Sequence, residues 1–246
     1  MFNLRFCECI SCNSHVKKIS LQKRTHVYFM PGMAAAPTIF ENLILPAEKY
    51  ETHLLEWVIP ETDESLEDYS KRMLQFIKHE NIVLIGVSFG GVIVQEMAKF
   101  LDLQRLIIIS SVKCKHELPP RMKFAARTGL FRIVPTSLAN YVDHFEKYAI
   151  GPFLKKRAKL YKQYISITDK QYLDWSIKQM VSWKCEKPDE KVIHIHGDQD
   201  EVFPVKNIDN AIIVKGGTHI MVVNRFRWFN ENLPGIIETG KLIKRT

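Results

Sequence analysis

Six stretches of the chain are dense in apolar, mostly β-branched or aromatic residues and end in turn-forming residues, and each predicts a buried strand. They are THVYFMPG (25–32), THLLEWVIP (52–60), NIVLIGVS (81–88), RLIIISSV (105–112), KVIHIHG (191–197) and NAIIVKGG (210–217). The almost unbroken apolar run of 81–88 suits a strand covered on both faces, as in a parallel sheet. Between the stretches the period changes to that of helices. Leu66, Tyr69, Met73, Phe76 and Ile77 share one face of a predicted helix over 65–80, with Ser65 and Asp68 as its amino-terminal cap. A largely buried helix follows from Phe89 to Phe100, and another is expected over 220–232. Strands alternating with helices predict an α/β protein with a mostly parallel central sheet and right-handed crossovers.

Residues 113–190 break this rhythm. They carry no convincing strand and read as short helices punctuated by ELPPR, VPTS and IGPF. Thr168–Gln171, ahead of Tyr172, Trp175 and Ile177, predicts a further capping-box start. The organisation that follows is an amino-terminal extension over 1–22, a core made of 23–112 and 191–246, and a helical insertion over 113–190. No repeat or low-complexity tract interrupts it.

Charge changes this picture only locally. The 246-residue chain carries a net +8, and 17 Lys/Arg against 8 Asp/Glu between Lys113 and Lys191 give that interval alone +9. The basic excess belongs to the insertion and not to the scaffold. No nucleic-acid motif accompanies it, so a solvated basic face is expected and no nucleic-acid partner. No apolar run reaches the roughly 18 residues of a membrane span, and residues 1–22 lack the apolar core of a secretory signal. With five cysteines, an odd number, the chain is expected to be cytoplasmic and free of a disulfide framework. Cys7, Cys9, Cys12 and His15 lie close enough to suggest zinc, but the spacing is not that of paired knuckles, and no metal or cofactor is expected.

Candidate chemistry starts at LIGVSFGGV (84–92). A bare Gly-x-Ser-x-Gly arises by chance in a chain of this length with a probability on the order of 0.1. Its context carries the weight. A strand leads into Ser88 and a helix leaves it at once, and in such an elbow the neighbours must be small, as Gly86 and Gly90 are. Gly91 lets the helix pack closely. A serine hydroxyl needs a base, and His219, after the glycines of KGGT at the end of the last strand, is the best placed of nine histidines. The base needs a buried acceptor, and HGDQDEVFP supplies Asp198 and Asp200 just after another strand. The order Ser, Asp, His is the one this architecture requires.

On these motifs the chain resembles the α/β-hydrolase superfamily, in its compact form with a helical cap, from about Thr25 to Glu231. GVSFGG resembles the nucleophile elbow, HGDQDEVFP the acid loop, and GGTHIMV the histidine loop. The acid-loop pattern, His-Gly-x-x-Asp-x-x-x-Pro, singles out Asp200. The resemblance implies a cap (lid) over 113–190 and an oxyanion hole from the backbone N–H groups of Met33 and Phe89. In that loop Pro31-Gly32-Met33 stands where the family commonly has His-Gly-x.

The function expected is a carboxylesterase-like serine hydrolase, cleaving a small-molecule ester or thioester through Ser88, His219 and Asp200 and an acyl-enzyme. A receptor on a retained hydrolase fold and a carbon–carbon bond hydrolase are the alternatives. His194 and His196 alternate along a strand and read as packing residues, while His26, His53, His79, His116 and His144 show no partner pattern. Phe124, Phe131, Tyr141, Phe145, Tyr148, Tyr161, Tyr164, Trp175 and Trp183 in the insertion are expected to pack between helices, a few of them lining an acyl pocket.

Overall fold

The computed structural model of the chain describes residues 24–133 and 163–243. Six strands, β1 (Thr25–Met30), β2 (Tyr50–Leu54), β3 (Ile82–Val87), β4 (Leu103–Ile109), β5 (Val192–Gly197) and β6 (Ile212–Val214), form one sheet in the order β2-β1-β3-β4-β5-β6. Every pairing is parallel. The described α-helices are α1 (Leu66–Met73), α2 (Phe89–Ala98), α3 (Pro120–Thr128), α4 (Lys170–Ser182), α5 (Met221–Asn224) and α6 (Phe226–Thr239), with short 3-10 turns between elements.

The alternation inside β3 explains its continuous apolar sequence. Ile82 and Leu84 face a core shared with Tyr28, Met30, Val92, Ile93, Met97, Leu106 and Ile108. Val83, Ile85 and Val87 face the opposite core, where Phe229, Leu233, Ile236 and Ile237 of α6 pack. Each such fully buried side chain contributes about 1.5–3 kcal/mol over an exposed one. The sheet is thus sandwiched, with α1, α2 and α4 on one face and α5 and α6 on the other.

Strand order fixes where a site can form. β1 neighbours both β2 and β3, so the connections leaving β1 and β3 diverge at their carboxyl ends, the place where open parallel sheets bind ligands. Met30 pairs with Gly86 at that edge, which sets the loop after β1 beside the loop after β3.

Several elements differ in detail from the sequence expectation. β2 starts two residues early and ends at Leu54, with Leu55 N–H still donating to Phe29 O of β1 at 2.9 Å; Trp57 is buried by packing beyond the sheet. The helix from Leu66 turns into a tighter 3-10 segment at Leu74–Phe76, and Phe76 is exposed. Ser65 caps α1 as expected, accepting the Asp68 N–H at 3.1 Å. In α4 the cap is Asp169, one residue after Thr168, accepting from Tyr172 N–H at 2.8 Å. The carboxyl-terminal helix is two helices broken at Arg225, and the second tolerates Pro234.

Between β4 and β5 the regular elements among the described residues are helices, joined by loops, apart from one antiparallel bridge, Ala35 to Ile165. α4 inserts Tyr172, Leu173, Trp175 and Met180 into the same core as α1 and α2. Trp183 is also buried there, Phe124 is exposed, and Tyr164 donates to Glu41 at 2.8 Å. Tyr141, Phe145, Tyr148, Tyr161 and His144 lie outside the described residues, as do Cys7, Cys9, Cys12 and His15. Among the described residues Cys114 and Cys185 are free thiols, and no helix is long and apolar enough to cross a membrane.

Candidate active site

β3 delivers the chain to Ser88 and α2 leaves from it without an intervening loop. The turn forces Ser88 to φ 53° and ψ −123°, a region that ordinary side chains avoid and that costs of order 1–3 kcal/mol. The flanking glycines make it possible. A Cβ at Gly86 would sit 2.3 Å from the Gly90 carbonyl oxygen, one at Gly90 2.2 Å from the Pro31 carbonyl oxygen, and one at Gly91 2.4 Å from Ser111 Oγ. The strained backbone is held on both sides: Ser88 N–H donates to Ile109 O at 2.9 Å, and Ser111 Oγ–H donates to the Ser88 carbonyl at 2.7 Å. Ser111, fully buried after β4, escapes sequence reasoning because its partner is a main-chain atom.

The loops after β5 and β6 bring the other two residues to this serine. His219 Nε2 lies 3.0 Å from Ser88 Oγ, and His219 Nδ1 lies 2.9 Å from Asp200 Oδ2. Only one neutral tautomer satisfies both: Nδ1–H donates to Asp200, and Nε2 accepts from the serine. Burial falls along the line, with Asp200 4 % exposed, the His219 side chain 23 % exposed and Ser88 half-buried. The second oxygen of Asp200 accepts the N–H groups of Val202 at 2.8 Å and Phe203 at 2.9 Å. The Phe203 ring and the imidazole also meet edge to face, with centroids 5.5 Å apart. Asp198 is exposed and plays a different part, accepting Gly216 N–H at 2.7 Å in the turn that carries the chain toward His219.

Behind the acid lies a buried pair. His196 Nε2 meets Phe203 O at 2.8 Å and stands 3.7 Å from Asp200 Oδ2, while its Nδ1 meets His194 Nε2 at 3.1 Å. Both rings are essentially inaccessible. Burial lowers the pKa of His194 well below the usual range, helped by the neighbouring His196 and Lys113. Burial lowers that of His196 too, against the opposing pull of Phe203 O and Asp200. They pack as expected, and they also hydrogen-bond as a pair.

The loop after β1 approaches the serine from the other side. A Cβ at Gly32 would lie 3.3 Å from Ser88 Cβ. The Gly32 carbonyl accepts Trp57 Nε1–H at 2.8 Å and Ala35 N–H at 3.0 Å, and its peptide bond to Met33 is trans. The plane of that peptide is therefore fixed, with Met33 N–H opposed to the tied carbonyl. Phe89 is the first residue of α2, so its N–H has no intrahelical acceptor. Its ring stacks on Trp57, centroids 5.5 Å apart and planes 9° from parallel. Sequence reasoning also missed the anchoring of this loop by the insertion: Tyr172 Oη accepts Ala34 N–H at 3.1 Å, and Ala36 N–H donates to Tyr164 O at 2.6 Å.

Three of the remaining histidines come together elsewhere. His26, His53 and His79 meet beside Glu51 at the opposite end of the sheet. His116 is exposed and pairs with Glu186 at 3.4 Å.

No protein-family model matches the chain in sequence, and no curated protein matches it. Solved structures do match. A bromoperoxidase from Bacillus anthracis superposes with a TM-score of 0.61 at 16% identity, over 87% of this chain and 92% of that one. A hydrolase from Pseudomonas aeruginosa PA01 gives 0.60 at 15% identity, over 89% and 91%. A thermophilic esterase from Thermogutta terrifontis gives 0.56 at 14% identity, over 84% and 87%. Identities this low speak to architecture and leave the chemistry to the residues of the site. The parallel sheet, its strand order, the helices on both faces and the helical insertion after β4 give this chain the α/β-hydrolase fold.

Proposed function

We propose that the chain is a serine hydrolase that cleaves a carboxylic ester, or a thioester, of a small or medium apolar acid, with Ser88 as nucleophile, His219 as general base and Asp200 as its orienting acid. The observation that carries this reading is the unbroken line from Asp200 Oδ2 through both nitrogens of His219 to Ser88 Oγ, at 2.9 and 3.0 Å. A neutral serine is a weak nucleophile, and a base within hydrogen-bond reach is what activates it. That one structural neighbour is named an esterase and another a hydrolase accords with the reading.

In this scheme Ser88 Oγ attacks the acyl carbon as its proton passes to His219 Nε2. The carbonyl π electrons move to oxygen, and the Met33 and Phe89 N–H groups receive that oxyanion; preorganised donors of this kind are worth about 3–4 kcal/mol each. The imidazolium is held by the Nδ1–H bond to Asp200. Collapse breaks the bond to the leaving alkoxide or thiolate, which takes the proton from Nε2. Water then attacks the acyl carbon as Nε2 takes its proton, and collapse breaks the bond to Ser88 Oγ, which recovers that proton from Nε2 as the acid leaves.

The test is hydrolysis of short p-nitrophenyl esters and labelling by a fluorophosphonate probe. Wild-type protein is expected to label and turn over. Ser88→Ala is expected to lose labelling and at least about 10³-fold in hydrolysis. A folded wild-type protein that takes no label overturns the proposal.

A further inference from the structure

At the amino end of the sheet, away from Ser88, four side chains with ligand atoms converge. β1 and β2 pair in the register His26 to Glu51 and Tyr28 to His53, so residues two apart on each strand stand on one face. The connection before β3 folds His79 over that face, and its ring stacks on His26 with centroids 3.8 Å apart. One ligand atom from each of His26, Glu51, His53 and His79 lies within 4.8 Å of every other, the one such group among the described residues.

We propose that His26, Glu51, His53 and His79 form a binding site for a divalent transition-metal ion of the zinc class, held by three imidazoles and one carboxylate. Zinc takes four such ligands tetrahedrally at about 2.0–2.2 Å, which sets the ligand atoms roughly 3.3 Å apart. His26 Nδ1 and His53 Nε2 are already 3.0 Å apart, and His53 Nε2 is 3.9 Å from Glu51 Oε1. Rotation of the side chains closes the rest: the stacked rings of His26 and His79 turn until their lone pairs aim at one point. The hydrogen bond between His26 and His53 is then exchanged for two coordinate bonds, its proton moving to the other nitrogen of the same ring.

The supports expected around metal ligands are in place. Arg24 holds Glu51 through Oε2 at 2.7 Å, leaving Oε1 toward the imidazoles. Tyr28 Oη fixes His79 through Nδ1 at 2.6 Å, which leaves Nε2 for an ion, and the same oxygen accepts Lys78 N–H at 3.0 Å. Such outer partners orient ligating side chains and are part of working metal sites. An ion here ties β1, β2 and the lead into β3 together. His26 and Met30 are four residues apart on β1, roughly 13 Å at 3.3 Å per residue, so the ion stabilises the sheet and takes no part at Ser88.

The experiment uses the full chain, stripped with a chelator, dialysed and titrated with zinc chloride. Wild type is expected to retain one more equivalent of zinc through gel filtration than Glu51→Gln or His53→Gln. At free zinc about a hundredfold above Kd its Tm should rise by roughly 5–10 °C, and those of the variants should not. Cobalt(II) provides a readout that does not depend on the variants folding: the expected spectrum is that of a tetrahedral nitrogen–oxygen site without thiolate charge transfer. Failure of wild type to retain zinc overturns the proposal. So does undiminished retention by both folded variants, or a thiolate band that assigns the ion to the cysteines.

Discussion

Tyr172 in α4 accepts the Ala34 N–H at 3.1 Å, which ties the insertion to the loop lying against Ser88. Ala34 itself is strained, at φ 61°, and follows directly on Met33, the proposed oxyanion donor. The Tyr172 hydroxyl is thus a positioning group for this loop, beside the bonds from Trp57 to Gly32 and from Ala36 to Tyr164. Burial pushes its pKa far up, so it stays a neutral phenol throughout the working range. Tyr172→Phe keeps the packing and leaves the Ala34 N–H unsatisfied, at a cost of about 1–3 kcal/mol. The expected outcome is a fall in kcat of roughly tenfold with KM almost unchanged. An equal rise in KM with kcat intact would show that the tyrosine serves substrate binding instead.

The two aspartates of the acid loop make a sharp contrast. Asp200 faces His219 Nδ1 and collects two backbone N–H groups, whereas Asp198 only caps Gly216. In Asp200→Asn the amide can present its NH₂ to the imidazole and select the wrong tautomer, and the expected loss in kcat is about 10⁴-fold. Asp198→Asn retains a carbonyl for Gly216 N–H and is expected to stay within about twofold of wild type, since its bond is a single neutral-donor contact. Steady-state kinetics of both variants on one ester decide the assignment. Comparable losses in the two would remove Asp200 from its proposed role.

Close packing at the elbow sets the third expectation. Ala at position 90 would drive its Cβ to 2.2 Å from Pro31 O and 2.6 Å from Met30 O, backbone atoms that cannot step aside. Overpacking of this kind costs about 1–3 kcal/mol, so Gly90→Ala should lower Tm by roughly 2–12 °C. Gly235, inside α6, is the control. Its added Cβ first meets the flexible end of Ile243 at 3.4 Å, and alanine is the better helix former by up to about 1 kcal/mol. Gly235→Ala should therefore melt at or above wild type. Differential scanning calorimetry of the pair tests both.

What the sequence disclosed follows the range of each interaction. β3 and the Leu106–Ile109 half of β4 are legible because both of their faces are buried, leaving an apolar run. The Ser88, Asp200 and His219 candidates are legible because each follows a strand within a glycine-marked loop, so that topology alone gathers them. The end of β2 is not, because Trp57 is buried by tertiary packing beyond the last bond to β1, that from Leu55 N–H to Phe29 O. Ser111 under Ser88 and Tyr172 over Ala34 are hidden because a bond to a main-chain atom leaves no mark on the partner's side chain. His26, His53 and His79 look unrelated until parallel pairing of β1 with β2 and the return before β3 superpose them.

The buried pair behind Asp200 makes stability depend on pH in a direction that can be worked out. Burial, the charge His196 would carry and Lys113 hold His194 well below its ordinary pKa, and burial holds His196 below as well. In the unfolded chain both titrate near 6.5. As pH falls through that value the unfolded state takes up protons that the folded state refuses, so stability declines. Above 6.5 both states are neutral and the contribution vanishes. Each histidine in this condition costs about 1.4 kcal/mol per pH unit below 6.5, until its own folded-state pKa is reached. Urea midpoints at pH 8, 6.5, 5.5 and 5 should be level across the first pair and then drop, before the carboxylates titrate. His53 is shifted the same way, so the contribution of the buried pair is isolated by His194→Gln, which should reduce the slope below pH 6.5. A wild-type midpoint that stays flat from pH 6.5 to 5 would mean that the folded state accepts those protons, and that His194 is not held neutral behind the acid.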